Sequence, residues 1–332
     1  MQKYLLDYLA CPICHADLTV AIGNESGHRI IEADFHCQHC EETFPVHNGI
    51  ANFLTDKKFR NDNWSQVESG LSKYLNENPA LKQRLMADSL ETLNPADKFF
   101  RGMILEENGY FAESQPVMNA AMQGLYTADY LSGQKNQREF VVAALKNVDT
   151  PIVDIASGRG YLVEAMLREG LTKVVATDFS PTVLERNRKY FTAEGLYQHL
   201  SLIACDAKLM PFKDDSIPNL TSFVGLSNIQ DAGKLLQELK RINSQMFRAI
   251  CEFYPDTTDS NSEAIHKYQL ENFLFKDNAI QNFELTDWSV TIQNRHVVSI
   301  APTPESDILG FGIDGLPVES TEIVSCTLVA TT

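Results

Sequence analysis

The chain has little positive charge and no long apolar run. Lysine and arginine number 28 against 44 aspartates and glutamates, a net charge of −16 over 332 residues. So acidic a chain is a poor electrostatic partner for phosphate backbones, which makes nucleic acid an unfavoured partner. No part of the chain is basic: residues 1–55 hold 2 basic and 7 acidic residues, 56–145 hold 10 and 12, and 146–332 hold 16 and 25. No apolar stretch reaches the ~20 residues that a membrane helix needs. The opening MQKYLLDYLACPICH carries Asp7 within its apolar part and lacks a small-residue cleavage site. This argues against a signal peptide and for a cytoplasmic protein. Glycine (17) and proline (13) are not periodic, which excludes fibrous architectures, and a hydrophobic content of 44% excludes a disordered chain. The length suggests about two domains.

Cysteines are few, but four are grouped. Cys11, Cys14, Cys37 and Cys40 form two Cys-x2-Cys knuckles, whereas Cys205, Cys251 and Cys326 are scattered in or beside apolar strands and read as core. Paired knuckles are the spacing of a structural zinc site, in which four thiolates close a tetrahedron and leave no open position. A redox dithiol is the competing reading. His15, His36 and His39 crowd the knuckles and read as neighbours, since four sulfurs already suffice. The runs LLDYLACPICHADL and FHCQHCEETFPVHNGIANFL resemble the small zinc-ribbon family of the tRNA-methyltransferase activator subunit. Phe44-Pro45 and Gly49-Ile50 hold that family's closing positions, and the resemblance covers residues 1–54. It implies a module that docks on a methyltransferase and stabilises it. Leu5, Leu6, Leu9, Ile50 and Phe53 exceed what so small a ribbon buries alone, so some should pack on the rest of the chain.

Residues 56–145 show no strand alternation. Helices are expected at 66–76, 80–92, 117–131 and 137–145, with breaks at Pro79, Pro95, Gly109 and Pro116. A helical linker or lid without a chemical motif is the reading. Tyr126 and Tyr130 could reach a ligand from such a lid, although tyrosines at helical spacing more often pack.

From residue 146 onward, strands and helices alternate. Strands are expected at 151–155, 174–177, 202–205, 220–224 and 247–253, with closing strands at 288–298 and 322–329 and a helix at 262–275. Such βαβ alternation means a doubly wound sheet that binds ligand at its strand C-termini. The first turn reads DIASGRGYL, and Asp178, placed to accept a ribose, follows Gly160 by 18 residues. These features alone suit NAD or S-adenosylmethionine. Val163 stands where a dinucleotide fold has its third Gly or Ala.

The following stretch, CDAKLMPFKDDSIPNLTSFVGLSNIQD, resembles class I S-adenosylmethionine-dependent methyltransferases, most closely the ubiquinone/menaquinone C-methyltransferase type. Asp206-Ala207 matches that family's adenine-contacting pair, and Met210-Pro211-Phe212 matches its turn. Residues 226–229 match the segment beside the methyl group, and 237–242 match a helix motif. Ala156, Asn219 and residues 242–245 depart from the pattern. The resemblance implies an α/β fold: a Rossmann-like seven-stranded methyltransferase sheet (146–332) with an N-terminal zinc ribbon (1–55) and a helical linker or lid (56–145). It implies an S-adenosylmethionine site of Asp154, Ala156, Ser157, Gly158, Gly160, Asp178, Phe179, Asp206, Ala207, Gly225 and Asn228. The expected activity is methyl transfer to a small molecule. RNA or protein methylation and a non-catalytic scaffold are the alternatives. No general base is evident: His199, His266 and lid carboxylates are candidates by chemistry only.

Overall fold

The structure, a computed structural model, describes residues 1–55 and 63–331, with side chains from residue 70 onward in the second span. The expected ribbon–linker junction at 56 lies outside the described residues. The first span forms β1 (Leu18–Ser26), β2 (Arg29–Cys37), β3 (Thr43–His47) and β4 (Ile50–Asn52). Helices α1 (Asn63–Glu77), α2 (Pro79–Ala87), α3 (Pro95–Glu107), α4 (Phe111–Leu125) and α5 (Ala128–Leu145) follow. Next come β5 (Ile152–Asp154), α6 (Tyr161–Arg168), β6 (Val174–Asp178), α7 (Pro181–Ala193), β7 (Leu200–Ala204), β8 (Ile217–Phe223), α8 (Ala232–Ile242) and β9 (Asn243–Phe253). The chain closes with α9 (Ser260–Lys267), α10 (Glu271–Leu274), α11 (Lys276–Glu284), β10 (Ser289–Ile300) and β11 (Thr321–Thr331). Among the described residues, no helix is long and apolar enough to cross a membrane.

All strands join one sheet in the order β1-β2-β3-β4-β7-β6-β5-β8-β9-β11-β10. From β7 to β9 the strands run parallel, and β11 and β10 close that edge antiparallel. This is a Rossmann-like α/β sheet, but among the described residues it has eleven strands where seven were expected. On the other edge β4 pairs in parallel with β7, Ile50 opposite Leu202 and Asn52 opposite Ala204. The ribbon is thereby a continuation of the central sheet.

Side-chain alternation along β4 and β7 ties the ribbon into both faces. Leu5, Leu9, Phe35, Phe44, Ala51 and Phe53 share one core with Val153, Val175, Ile203, Met210 and Phe212. Ile50 faces the opposite core, with Leu162, Val174 and Phe191. Leu6 is only partly buried against the first cluster. Backbone bonds reinforce the seam: Lys213 donates to Tyr8 (2.9 Å) and Ala10 to Pro211 (3.1 Å). Arg29 donates to the carbonyls of Tyr197 (2.6 Å) and Leu200 (2.9 Å), its guanidinium 3.9 Å from the centre of the Tyr197 ring.

The helical segment departs from expectation in instructive places. Pro95 starts a helix instead of breaking one. It occupies the first turn of α3, where its missing N–H costs nothing, and Asn94 caps that turn by accepting from the Asp97 N–H (2.8 Å). Pro116 lies inside α4, tolerated because Phe111, Ser114, Val117, Met118 and Ala121 are buried around it. The expected 117–131 helix splits at Tyr126, whose backbone is extended, and α5 restarts under a Thr127 cap and runs through 137–145. The expected 262–275 helix likewise divides into α9 and α10, with Gln269 between them at φ 58°.

Buried leucine and phenylalanine side chains contribute about 1.5–3 kcal/mol each, and whole domains are stable by only about 5–15 kcal/mol. A chain beginning at residue 56 would expose Ile203 and Phe212 and leave β7 as a bare edge. It is expected to aggregate, or to melt far below the full chain, in thermal denaturation and gel filtration. An unchanged melting temperature would contradict this packing account.

Candidate metal centre and cofactor site

The two knuckles fold alike. In each, the residue after the second cysteine is left-handed, His15 at φ 57° and Glu41 at φ 62°. Each also closes on its first cysteine: His15 N–H donates to Cys11 O and Glu41 N–H to Cys37 O, both 2.9 Å. This brings the four Sγ atoms within 4.8 Å of one another, with Cys11–Cys40 and Cys14–Cys37 at 3.5 Å. Sulfurs placed ~2.3 Å from one ion lie at such separations, so the donor set fits tetrahedral zinc. The three histidines are exposed and outside the cluster. The site therefore holds the ribbon together and offers no open coordination position.

The second site sits at the C-terminal ends of β5 to β8, where an open α/β sheet takes its ligand. Asp154 ends β5 and is buried; its Oδ1 accepts from Thr221 Oγ (2.6 Å), and its Oδ2 has no hydrogen-bond partner among the described residues. Burial pushes this carboxyl up to about 6, against the pull of the Thr221 and Ser157 hydrogen bonds. A buried carboxylate with one unpaired oxygen is costly unless a ligand group completes it. Ser157 closes the loop base, its N–H donating to Thr177 O (2.9 Å) and its hydroxyl to Asp154 O (3.0 Å). Asp178, at the end of β6, accepts from the Gly158 N–H (2.8 Å) and from the Ser180 N–H (2.9 Å). One carboxylate thus pins both the glycine loop and the start of α7.

The two loop glycines have different roles. A Cβ on Gly158 (φ 49°) would meet nothing within 4 Å, so the loop faces open space. A Cβ on Gly160 (φ 80°) would lie 3.1 Å from the Phe191 ring, so its constraint is backbone conformation and packing on α7. Ala156, where a glycine is usual, has φ 51°. The room it takes is given back by Gly225, whose Cβ would sit 2.9 Å from that of Ala156. Phe179, Asp206 and Ala207 are half-buried beside the loop, and Asp206 accepts from the Lys208 N–H (3.0 Å). Asn228 is exposed at the end of the turn after β8, its N–H donating to Gly225 O (3.2 Å). Val224, a β-branched residue, is held at φ 53° beside this turn.

Other residues of this region carry no sequence motif. Glu106 of α3 is bonded by Arg159 of the glycine loop and by Arg186 of α7 (2.9 Å and 3.1 Å to the same oxygen). All three side chains are at most 10% exposed. Burial would raise the Glu106 carboxyl, but the two guanidiniums outweigh it and hold the group below its usual range. A second cluster joins α5 and the residue that ends α4 to the end of β9. Tyr130 donates to Glu252 (3.2 Å), Gln134 donates to Tyr130 (2.6 Å), and Tyr126 donates to Asp314 (2.8 Å), with the two tyrosine rings 5.3 Å apart. The histidines lie elsewhere: His199 precedes β7 at the opposite end of the sheet, and His266 is exposed on α9 against Phe275.

With this geometry in view, the matches to known proteins are specific by segment. Residues 152–245 match the methyltransferase domain family, and residues 2–49 match the Trm112p-like protein family. The former segment is thus similar to a methyltransferase domain and the latter to a Trm112p-like protein. Ubiquinone/menaquinone biosynthesis C-methyltransferase UbiE of Rickettsia typhi is 28% identical over 120 residues, 35% of this chain and 48% of that protein. Demethylmenaquinone methyltransferase of Clavibacter sepedonicus is 36% identical over 103 residues, 31% and 40% of the two chains. The enzyme of the same name from Streptomyces avermitilis is 36% identical over 131 residues, 38% and 54%. The chain spans about half the length of the curated relatives it matches.

Glu106→Ala would leave two buried guanidiniums without their shared carboxylate. Breaking such a buried set costs about 3–5 kcal/mol, so the melting temperature should fall sharply in calorimetry. Because the folded carboxyl titrates below its unfolded value of about 4.3, this stabilisation is full above that pH and is lost as the pH falls through the lower folded value. A variant as stable as wild type at pH 7 would contradict the assignment.

Proposed function

We propose that the protein transfers the methyl group of S-adenosylmethionine to a small molecule, and that its acceptor is a reduced quinone ring or a similar phenolic ring. What carries the cofactor reading is the convergence of Asp154, Gly158, Asp178 and Asp206 at adjoining strand ends. The unpaired oxygen of Asp154 suits the amino-acid ammonium, Asp178 the ribose, and Asp206 the adenine. When bound, S-adenosylmethionine supplies an already activated methyl group, so the chain's work is to position the acceptor and exclude water. The acceptor reading is supported by the relatives' names and by aromatic side chains around the loop. Tyr161 lies edge-on to Phe223, ring centres 6.3 Å apart, and Tyr126 and Tyr130 approach from the lid. We read residues 1–55 as a built-in counterpart of the activator subunit, residues 56–145 as the lid and residues 146–332 as the methyltransferase domain.

Titration calorimetry with S-adenosylhomocysteine tests the cofactor reading. Asp178→Ala removes the ribose acceptor and unpins Gly158, and should cost about 1–3 kcal/mol, or roughly 5–150-fold in affinity. Wild-type protein that binds NAD and not S-adenosylhomocysteine would overturn it.

A further inference from the structure

Glu252 has no counterpart among the sequence motifs, yet its placement is unusual. It lies near the C-terminal end of β9, two residues beyond Ile250, which pairs with the last residue of β8, Phe223. The ligand-binding edge of the sheet runs through this end. Its neighbours on the strand are apolar and buried: Ile250, Cys251 and Phe253. Glu252 itself is buried, only 9% exposed. Its Oε2 accepts from Tyr130 and its Oε1 from Gln134 (3.4 Å). Directly across the sheet is Ser325 of β11, whose buried Oγ has no partner among the described residues. The acid, its two donors on α5 and the unused hydroxyl beside it form a buried polar cluster with bonding capacity left over. Tyr126, its ring against that of Tyr130, extends this cluster to Asp314.

Resting on the reading above, we propose that Glu252 is the general base of the methyl transfer, that Tyr130 and Gln134 are its positioning residues, and that the acceptor carries a weakly acidic ring hydroxyl. Glu252 takes the hydroxyl proton. The O–H electron pair passes into the ring, and the adjacent ring carbon forms the bond to the methyl carbon. The methyl–sulfur bond breaks with its pair left on sulfur, giving S-adenosylhomocysteine. Glu252 then returns its proton to the ring oxygen and takes the one on the methylated carbon. The ring is aromatic again, and one proton passes to solvent.

The groups facing Glu252 suit this role. On the lid side are Tyr126, Tyr130 and Gln134, with Asp314 from the β10–β11 connection; on its own strand are Cys251 and Tyr254; on β11 are Ser325 and Cys326. None is a cation. Burial pushes the Glu252 carboxyl up to about 7, the Gln134 and Tyr130 hydrogen bonds draw it down, and the Asp314 charge adds to the rise. A base near neutrality is well matched to a proton acceptor at physiological pH.

The test uses the full-length zinc-containing protein, Glu252→Gln and Tyr130→Phe. The acceptor probe is 1,4-naphthohydroquinone kept reduced under nitrogen, with methyl-labelled S-adenosylmethionine. All three proteins should melt cooperatively and bind S-adenosylhomocysteine alike. Glu252→Gln should lower kcat by roughly 10²–10⁴-fold with KM little changed. Wild-type kcat should rise with pH through an apparent pKa near 7, as base catalysis requires, and Glu252→Gln should lack that limb. Tyr130→Phe removes a donor to the carboxylate and should move the limb alkaline. In carbon-13 NMR, the carboxyl resonance missing from Glu252→Gln should titrate with the same midpoint without any acceptor present. A carboxyl that titrates near 4, or a Glu252→Gln variant that keeps rate and pH limb, overturns the proposal. So does wild type that binds S-adenosylhomocysteine but does not methylate the probe, and that result leaves the cofactor reading intact. Wild type that does not bind S-adenosylhomocysteine overturns the underlying reading as well.

Discussion

Three residues of parallel pairing, Ile50–Asn52 against Leu202–Ala204, decide what kind of molecule this is. Through them a zinc-type module becomes the edge of a nucleotide-binding sheet. A hydrogen-bond row then runs across the strand ends: Phe53 N–H donates to Ala204 O (2.7 Å), and Cys205 N–H donates to Asp178 O (3.0 Å). Asp178 in turn holds Gly158. The path from the ribbon to the glycine loop is therefore two backbone hydrogen bonds, one peptide link and one carboxylate. Asp206, next to Cys205, follows by two residues the end of the strand that the ribbon covers. A module that does no chemistry can still set the geometry of the site, because without it β7 would be a bare edge strand.

The helical segment is attached in a different way. Where the ribbon merges its core with that of the sheet, α3 meets the glycine loop through charge, with Glu106 between Arg159 and Arg186. Buried charge sets give little net stability but are costly to break, so they fix one arrangement without adding apolar glue. The last helix of this segment, α5, meets β9, β10 and β11 through polar bonds and enters the sheet's core through Val141, Val142 and Leu145. Gln137 donates to Asn294 O (2.7 Å) and accepts from Thr327 (2.9 Å), one helical turn beyond Gln134. Both attachments converge on the carboxyl ends of the strands, where the reacting groups must meet.

Local chemistry was legible in the sequence, and long-range chemistry was not. Two Cys-x2-Cys turns carry their geometry within five residues each, and the glycine loop is specified by residues 154–160 and one aspartate. The continuation of the sheet through β4 was hidden because a three-residue strand has no periodicity to read. Helix α3 was missed because Pro95 is equally a stop and a start, and only the Asn94 cap distinguishes them. Glu106 and its arginines are 53 and 80 residues apart, beyond any pattern of spacing. Glu252 did leave a trace, as one acid in the otherwise apolar run AICEFY. The Ala156–Gly225 exchange shows why a departure from a motif can be harmless: the lost space is restored from a residue 69 positions on, across the sheet.

The central claim is that zinc, ribbon and cofactor site form one mechanical unit. The most direct measurement is amide hydrogen exchange at residue 53 and residues 200–206, together with S-adenosylhomocysteine affinity, before and after zinc is stripped from the intact protein. The account predicts that loss of metal deprotects the Phe53–Ala204 and Cys205–Asp178 amides together and weakens the ligand in parallel. Metal-free protein that keeps both protection and affinity would contradict it.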